Sequence, residues 1–202
     1  GLIDDATVKT ENVYVTPDLW TVTHGIVSGG TGSISGTITS IAEADLYGTG
    51  GYRNTLLDFD QSWAARSGEV PGIKAFVKNP LSIANAIRPD TSWYNADETR
   101  QEILDEADMY GFMELMAEGN TFAGKEIYLM ADLSKMNKVE NETIDKWKAG
   151  TEVPDNQWVA ETKFAGTFDG GMHTISGIYL NTTAAGGGLF GEITATGVVK
   201  NL

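Results

Sequence analysis

Residues 164–178 run Phe164-Ala165-Gly166-Thr167-Phe168-Asp169-Gly170-Gly171-Met172-His173-Thr174-Ile175-Ser176-Gly177-Ile178 and set the expectation for the fold. Short apolar runs alternate here with glycine turns, a pattern of brief strands and not of helices. Phe164-Ala165-Gly166 echoes Phe122-Ala123-Gly124 upstream, and each triplet opens a β-type run. Phe168 recurs as Phe190, and Ile178 as Val199. Those spacings are roughly 20–25 residues, the period of a β-solenoid coil. Such coils stack their Ile, Val and Phe side chains and so bury faces that one coil cannot bury alone.

Moving outward, Asp105 precedes Met109, Phe112, Met113 and Met116, which recur at i, i+3, i+4 and i+7. Asp is a good N-cap and Gly119 a good terminator, so an amphipathic helix is predicted over about residues 106–118. A start near Asn95 is the alternative. Lys125 to Ala131 reads as a strand with Ile127 and Leu129 on one face. Residues 134–160 are polar and read as an inserted loop, with a helical turn near Ile144 to Trp147. At the other end, Trp20, Val22 and Ile26 alternate with Thr21, Thr23 and Gly25. Glycine turns at 28–32 and 48–51 then separate further short runs, Thr55 to Phe59 and Ile73 to Val77. The predicted fold is mostly β. A small β-sandwich-like module over 1–88 is followed, over 89–202, by a parallel β-helix or solenoid-type repeat segment with one packed α-helix.

The repeat region resembles the GLUG-motif proteins. Gly188-Leu189-Phe190-Gly191 matches their Gly-Leu-any-Gly signature, and residues 164–178 match the run that precedes it. Gly197-Val198-Val199-Lys200-Asn201-Leu202 is similar to the segment that closes a repeat, and Ile103 to Asp132 is similar to the lead-in. The likeness covers about residues 91–202 and does not extend to the N-terminal part. Departures are Gly171-Met172, where Asn-Gly is usual, and the insert at 134–160. The resemblance implies β-helical segments of bacterial cell-surface or secreted proteins, adhesin-like and without catalysis of their own. A place outside the cell, with any signal peptide already removed, is therefore expected.

Composition excludes several classes. The chain has 14 basic and 28 acidic residues, a net charge of −14, which opposes the counterion displacement that nucleic-acid binding requires. With no cysteine there is no disulfide, thiolate nucleophile or Cys-based metal site. No apolar run is long enough for a membrane span. Gly119 to Lys125 has the spacing of a phosphate-binding loop, but Glu126 replaces the magnesium-binding Ser or Thr and the helix–loop–strand order is reversed. Gly32-Ser33-Ile34-Ser35-Gly36 puts Ile, not Ser, at the centre of a nucleophile-elbow spacing. His24 reads as a strand residue and His173 as a hydrogen-bonded turn residue. Acidic pairs such as Glu161/Asp169 carry little weight among 28 acids.

Aromatic side chains are the better lead. Trp93 and Tyr94 lie in a polar stretch and Trp63 in the N-terminal module, and exposed rings stack on sugar faces. The competing reading makes them core anchors. Asp58 and Asp60 offer alternating oxygens to a surface calcium ion, without the glycine and glutamate of an EF-hand; no other cofactor is expected. The favoured function is a non-catalytic structural or adhesive surface protein. Its expected partners are further copies, in a homo-oligomer or filament joined through an open solenoid end, and a glycan or host surface. A carbohydrate-binding module is the alternative, and a β-helical polysaccharide-degrading enzyme the weaker one.

Overall fold

The computed structural model describes residues 7–15, 33–137, 141–159, 162–182 and 187–202. They fall into two units, Gly1–Ala84 and Asn85–Leu202. In the first, β1 (Thr7–Val15) pairs in parallel with β2 (Ser33–Ser40), with a register shift between Thr10 and Val13. A short helix, α1 (Gly50–Arg53), brings Tyr52 edge-on to Phe59, with ring centroids 5.7 Å apart. β3 (Trp63–Arg66) and β4 (Glu69–Ile73) form an antiparallel hairpin. Leu46, Phe59, Ala64 and Ala65 are buried. This overturns the expected sandwich, which needs two multistranded sheets packed face to face. Among the described residues each sheet here has only two strands, and one of the two sheets is parallel. Thr55 to Phe59 forms no strand, and the chain after Ile73 becomes a 3₁₀ turn at Lys74–Phe76. The strand expected at Trp20 to Ile26, with His24, and the turn at 28–32 lie outside the described residues.

The second unit is built on a β-α-β element: β5 (Arg100–Ile103), α2 (Glu106–Ala117) and β6 (Glu126–Leu129). A helical crossover is what allows β5 and β6 to lie parallel. Asp105 caps α2 by accepting the N–H groups of Ala107 and Asp108 at 2.9 and 3.0 Å. Asp108 reaches back to accept Leu104 N–H at 2.9 Å, so the two carboxylates together satisfy three N–H donors at this end of the helix. At the other end Gly119 takes a φ of 100°. Its N–H donates to Met116 O and that of Asn120 to Leu115 O, the paired bonds of a Schellman stop.

Further along lie α3 (Asn141–Lys148), β7 (Lys163–Phe164), β8 (Thr167–Asp169), β9 (Glu192–Ile193) and β10 (Val198–Lys200). β5, β6, β8 and β10 make one four-stranded sheet, every pairing parallel and in register. Ile103, Ile127, Leu129 and Phe168 face inward and are buried. Against them pack Met109, Phe112, Met113 and Met116 of α2. Phe112 is the hub, with ring centroids 4.9 Å from Phe122, 5.8 Å from Phe164 and 5.7 Å from Phe168.

The fold is therefore mixed α/β, and the expected β-helix is corrected. Among the described residues only one wall carries a continuous ladder. A second is reduced to the two-residue pairing of β7 with β9, and a third to a single bridge between Leu133 and Ile175. Where a closed coil would set strands across the interior, the side chains of α2 fill the space instead. The helical turn expected near Ile144 to Trp147 in the 134–160 insert lies within α3. The insert is also pinned to the core by Asn156, which is fully buried. That side chain accepts Ile87 N–H at 2.7 Å and donates to Asn85 O and Met136 O at 2.8 and 3.2 Å. Asn137 donates to the carbonyls of Asn156 and Gly177. A polar group this deep is tolerated because its partners are complete.

Candidate functional site

The residues singled out from sequence do not converge. Trp93 and Tyr94 pack onto the aromatic core: the Trp93 ring lies 6.3 Å from Phe122 with an interplanar angle of 3°, and Tyr94 meets Phe122 edge-on at 5.2 Å. Both are partly buried there and serve as anchors for the segment ahead of β5. Trp63 opens β3 opposite Ile73 and is half-buried. The Asp58 carboxylate accepts the N–H groups of Asp60 and Gln61, closing a local turn. The carbonyls of Phe59 and Asp60 accept from the Lys74 ammonium, so a cation already occupies this turn. No cluster of three or more His, Asp or Glu side chains suited to a metal occurs among the described residues.

The other motifs also resolve into structure. Lys125 donates to Ala96 O and to Glu98 O, the latter at 2.8 Å, and ties down the chain ahead of β5. His173 Nδ1 lies 3.2 Å from Asp132 Oδ1, which also accepts Thr174 N–H. Those contacts, led by the Thr174 bond, hold the Asp132 carboxyl below its ordinary range. Asp169 is lowered in the same sense, first by the Asn201 amide and then by Gly171 N–H. Of the pair Glu161/Asp169, Glu161 lies outside the described residues.

What the fold does bring together is a terminal rung. In register, Ile193 sits over Phe164, and Val199 over Phe168. Phe164 and Phe168 are fully buried, whereas Ile193 is 48% and Val198 46% exposed. Val198 N–H donates to Gly166 O, and Lys200 O accepts from Gly170 N–H. Alternation along a parallel strand then turns the N–H and C=O of Val199 away from β8. No other strand pairs with β10 among the described residues. The opposite edge, β5, is dressed differently: Arg100 and Glu102 are exposed and joined by hydrogen bonds at 3.0 and 3.1 Å. Charged side chains of this kind guard a strand edge; β10 has one of its own, Lys200, held by Asp169 at 3.2 Å, beside the exposed Val198.

An aromatic pair was passed over in the sequence. Trp147 of α3 meets Tyr179 edge-on at 5.5 Å, at the surface of the second unit. Trp147 stands in a polar stretch just as Trp93 does, and that signal applied equally to both. No protein-family model, curated protein or solved structure matches the chain. Among the described residues no helix is long and apolar enough to cross a membrane.

Proposed function

We propose that this chain is a non-catalytic structural or adhesive component of a bacterial cell surface, and that it assembles by adding a strand from a second copy at β10. The observation that carries the reading is the uncovered rung. Inward-facing apolar residues are stacked in register up to Val199, and the outward backbone groups of that residue have no partner strand among the described residues. The likeness of residues 164–178, 188–191 and 197–202 to GLUG-motif proteins supports the cellular location. The β10 edge carries one charged side chain, Lys200, against the Arg100 and Glu102 of β5, so the less guarded edges meet and the contact is a two-fold one.

Light scattering over a concentration series tests this. The wild-type mass rises with concentration toward twice the monomer. Val199→Pro, which removes the outward N–H and leaves both β8 hydrogen bonds intact, remains a monomer with an unchanged circular dichroism spectrum. A wild-type protein that stays monomeric at the highest concentration refutes the assembly.

A further inference from the structure

The surface beside α3 carries a second feature, independent of the sheet edge. Trp147, Lys148, Ala149, Gly150, Tyr179 and Asn181 line an open cavity of ≈ 490 Å³. That volume lies within the range of small-molecule sites. Its lining combines two half-buried aromatic rings with an amide and an ammonium group. No carboxylate pairs with Lys148 among the described residues, whereas the neighbouring Lys146 is held by Glu152 at 3.0 Å. Tyr179 O accepts Trp158 N–H at 2.8 Å, and Trp158 Nε1 in turn donates to Leu189 O, so the Tyr179 backbone is fastened to the core. Trp147 Nε1 is shut off from solvent and has no acceptor among the described residues. A buried donor is costly to leave unpaired, and an arriving oxygen that turns the ring outward would supply the missing acceptor.

We infer that this cavity binds a pyranose unit of an acidic glycan. A sugar ring presents a C–H face to an aromatic side chain and hydroxyl groups around its rim, which is the combination the lining accepts. Asn181 offers both a donor and an acceptor to neighbouring hydroxyls. Lys148 selects for a carboxylate on the sugar, against the repulsion of a chain whose net charge is −14. The occupant is a saccharide and not a nucleotide, because a single ammonium group cannot neutralise a polyphosphate.

Titration calorimetry of the full chain with an oligogalacturonate and, separately, a neutral cello-oligosaccharide tests the assignment. The uronate is expected to bind saturably, about tenfold more tightly than the neutral sugar at low salt. Tyr179→Ala reduces binding of both at least tenfold, and Lys148→Ala removes the preference for the uronate. Asn181→Ala, at an exposed position outside the core, weakens both several-fold and serves if Tyr179→Ala fails to fold. Saturable binding of neither sugar at millimolar concentration overturns the inference. So does binding that neither Tyr179→Ala nor Asn181→Ala changes. Val199→Pro retains the binding, which separates this result from the fate of edge pairing.

Discussion

Replacing Gly111 by alanine sets two effects of opposite sign against each other. Gly111 lies in the middle of α2, where alanine is normally worth about 1 kcal/mol over glycine. An added Cβ, however, would stand 1.8 Å from Asp90 O. Ordinary contact begins at 3.4 Å, so the two backbones must separate by 3.4 − 1.8 = 1.6 Å. The Asp90 segment is not free to yield. Asp90 N–H donates to Ala107 O at 2.9 Å, and the Asp90 carboxylate accepts Ser92 N–H at 2.8 Å. Overpacking of this kind costs about 1–3 kcal/mol. Loss of the Asp90–Ala107 bond adds about 1 kcal/mol. Set against the propensity gain, the net is a destabilisation of about 2 kcal/mol. Hydrogen exchange in the full chain reads this where it acts. Amides of α2 should lose roughly thirtyfold of their protection. Gly119→Ala is the control, since its added Cβ meets nothing within 4 Å and its cost comes from the φ of 100° alone. That variant should lose only about 1 kcal/mol. If Gly111→Ala leaves α2 as protected as before, or more so, the close approach of these backbones is wrong.

Phe112→Ala removes the hub of the aromatic cluster and should cost about 4 kcal/mol, while Phe112→Leu costs near 1.5, measured by urea denaturation. Equal costs for the two would show that ring contacts at this site matter little. Acidification gives another test. Asp90, Asp132 and Asp169 are all lowered from the ordinary 3.8, so the stability they contribute is present above that value. It is lost as pH falls through their folded values. Asp108 is raised, chiefly by burial, and acts in the opposite sense. Thermal melts should therefore show the second unit weakening as pH drops below about 4, and Asp169→Asn should flatten that dependence. A slope identical in wild type and variant contradicts the assignment.

Local signals in the sequence proved the most legible. Asp105, the Met109/Phe112/Met113/Met116 stripe and Gly119 mark a helix whose observed bounds are Glu106–Ala117. Ile127 and Leu129 mark β6. Residue periodicity does not mark β5, because its second residue, Gln101, is buried yet polar. Gln101 is accommodated by the backbones of Asn95 and Glu98, a tertiary arrangement that no periodicity records. The Phe-Ala-Gly echo does precede two strands that pair in parallel, β6 and β8, but Phe168 aligns with Val199 and not with Phe190, so the spacing of roughly 20–25 residues does not give the register. Nor does spacing say whether the remaining walls close; in this chain the bulk of α2 decided that question. Trp93 and Trp147 illustrate the same limit. Both sit among polar neighbours, and only the folded chain separates the one stacked on Phe122 from the one beside an open cavity.

The four-stranded sheet has a consequence in time. Across it the strands lie in the order β5, β6, β8, β10, the order in which they occur along the chain. Parallel ladders between distant segments are slow to form when every segment must search for its partner at once. Here each strand finds its template already laid down by the one before it, once β5, α2 and β6 have nucleated. A chain released from its N-terminal end can build this sheet as it emerges, and each of β6, β8 and β10 meets a partner strand already made.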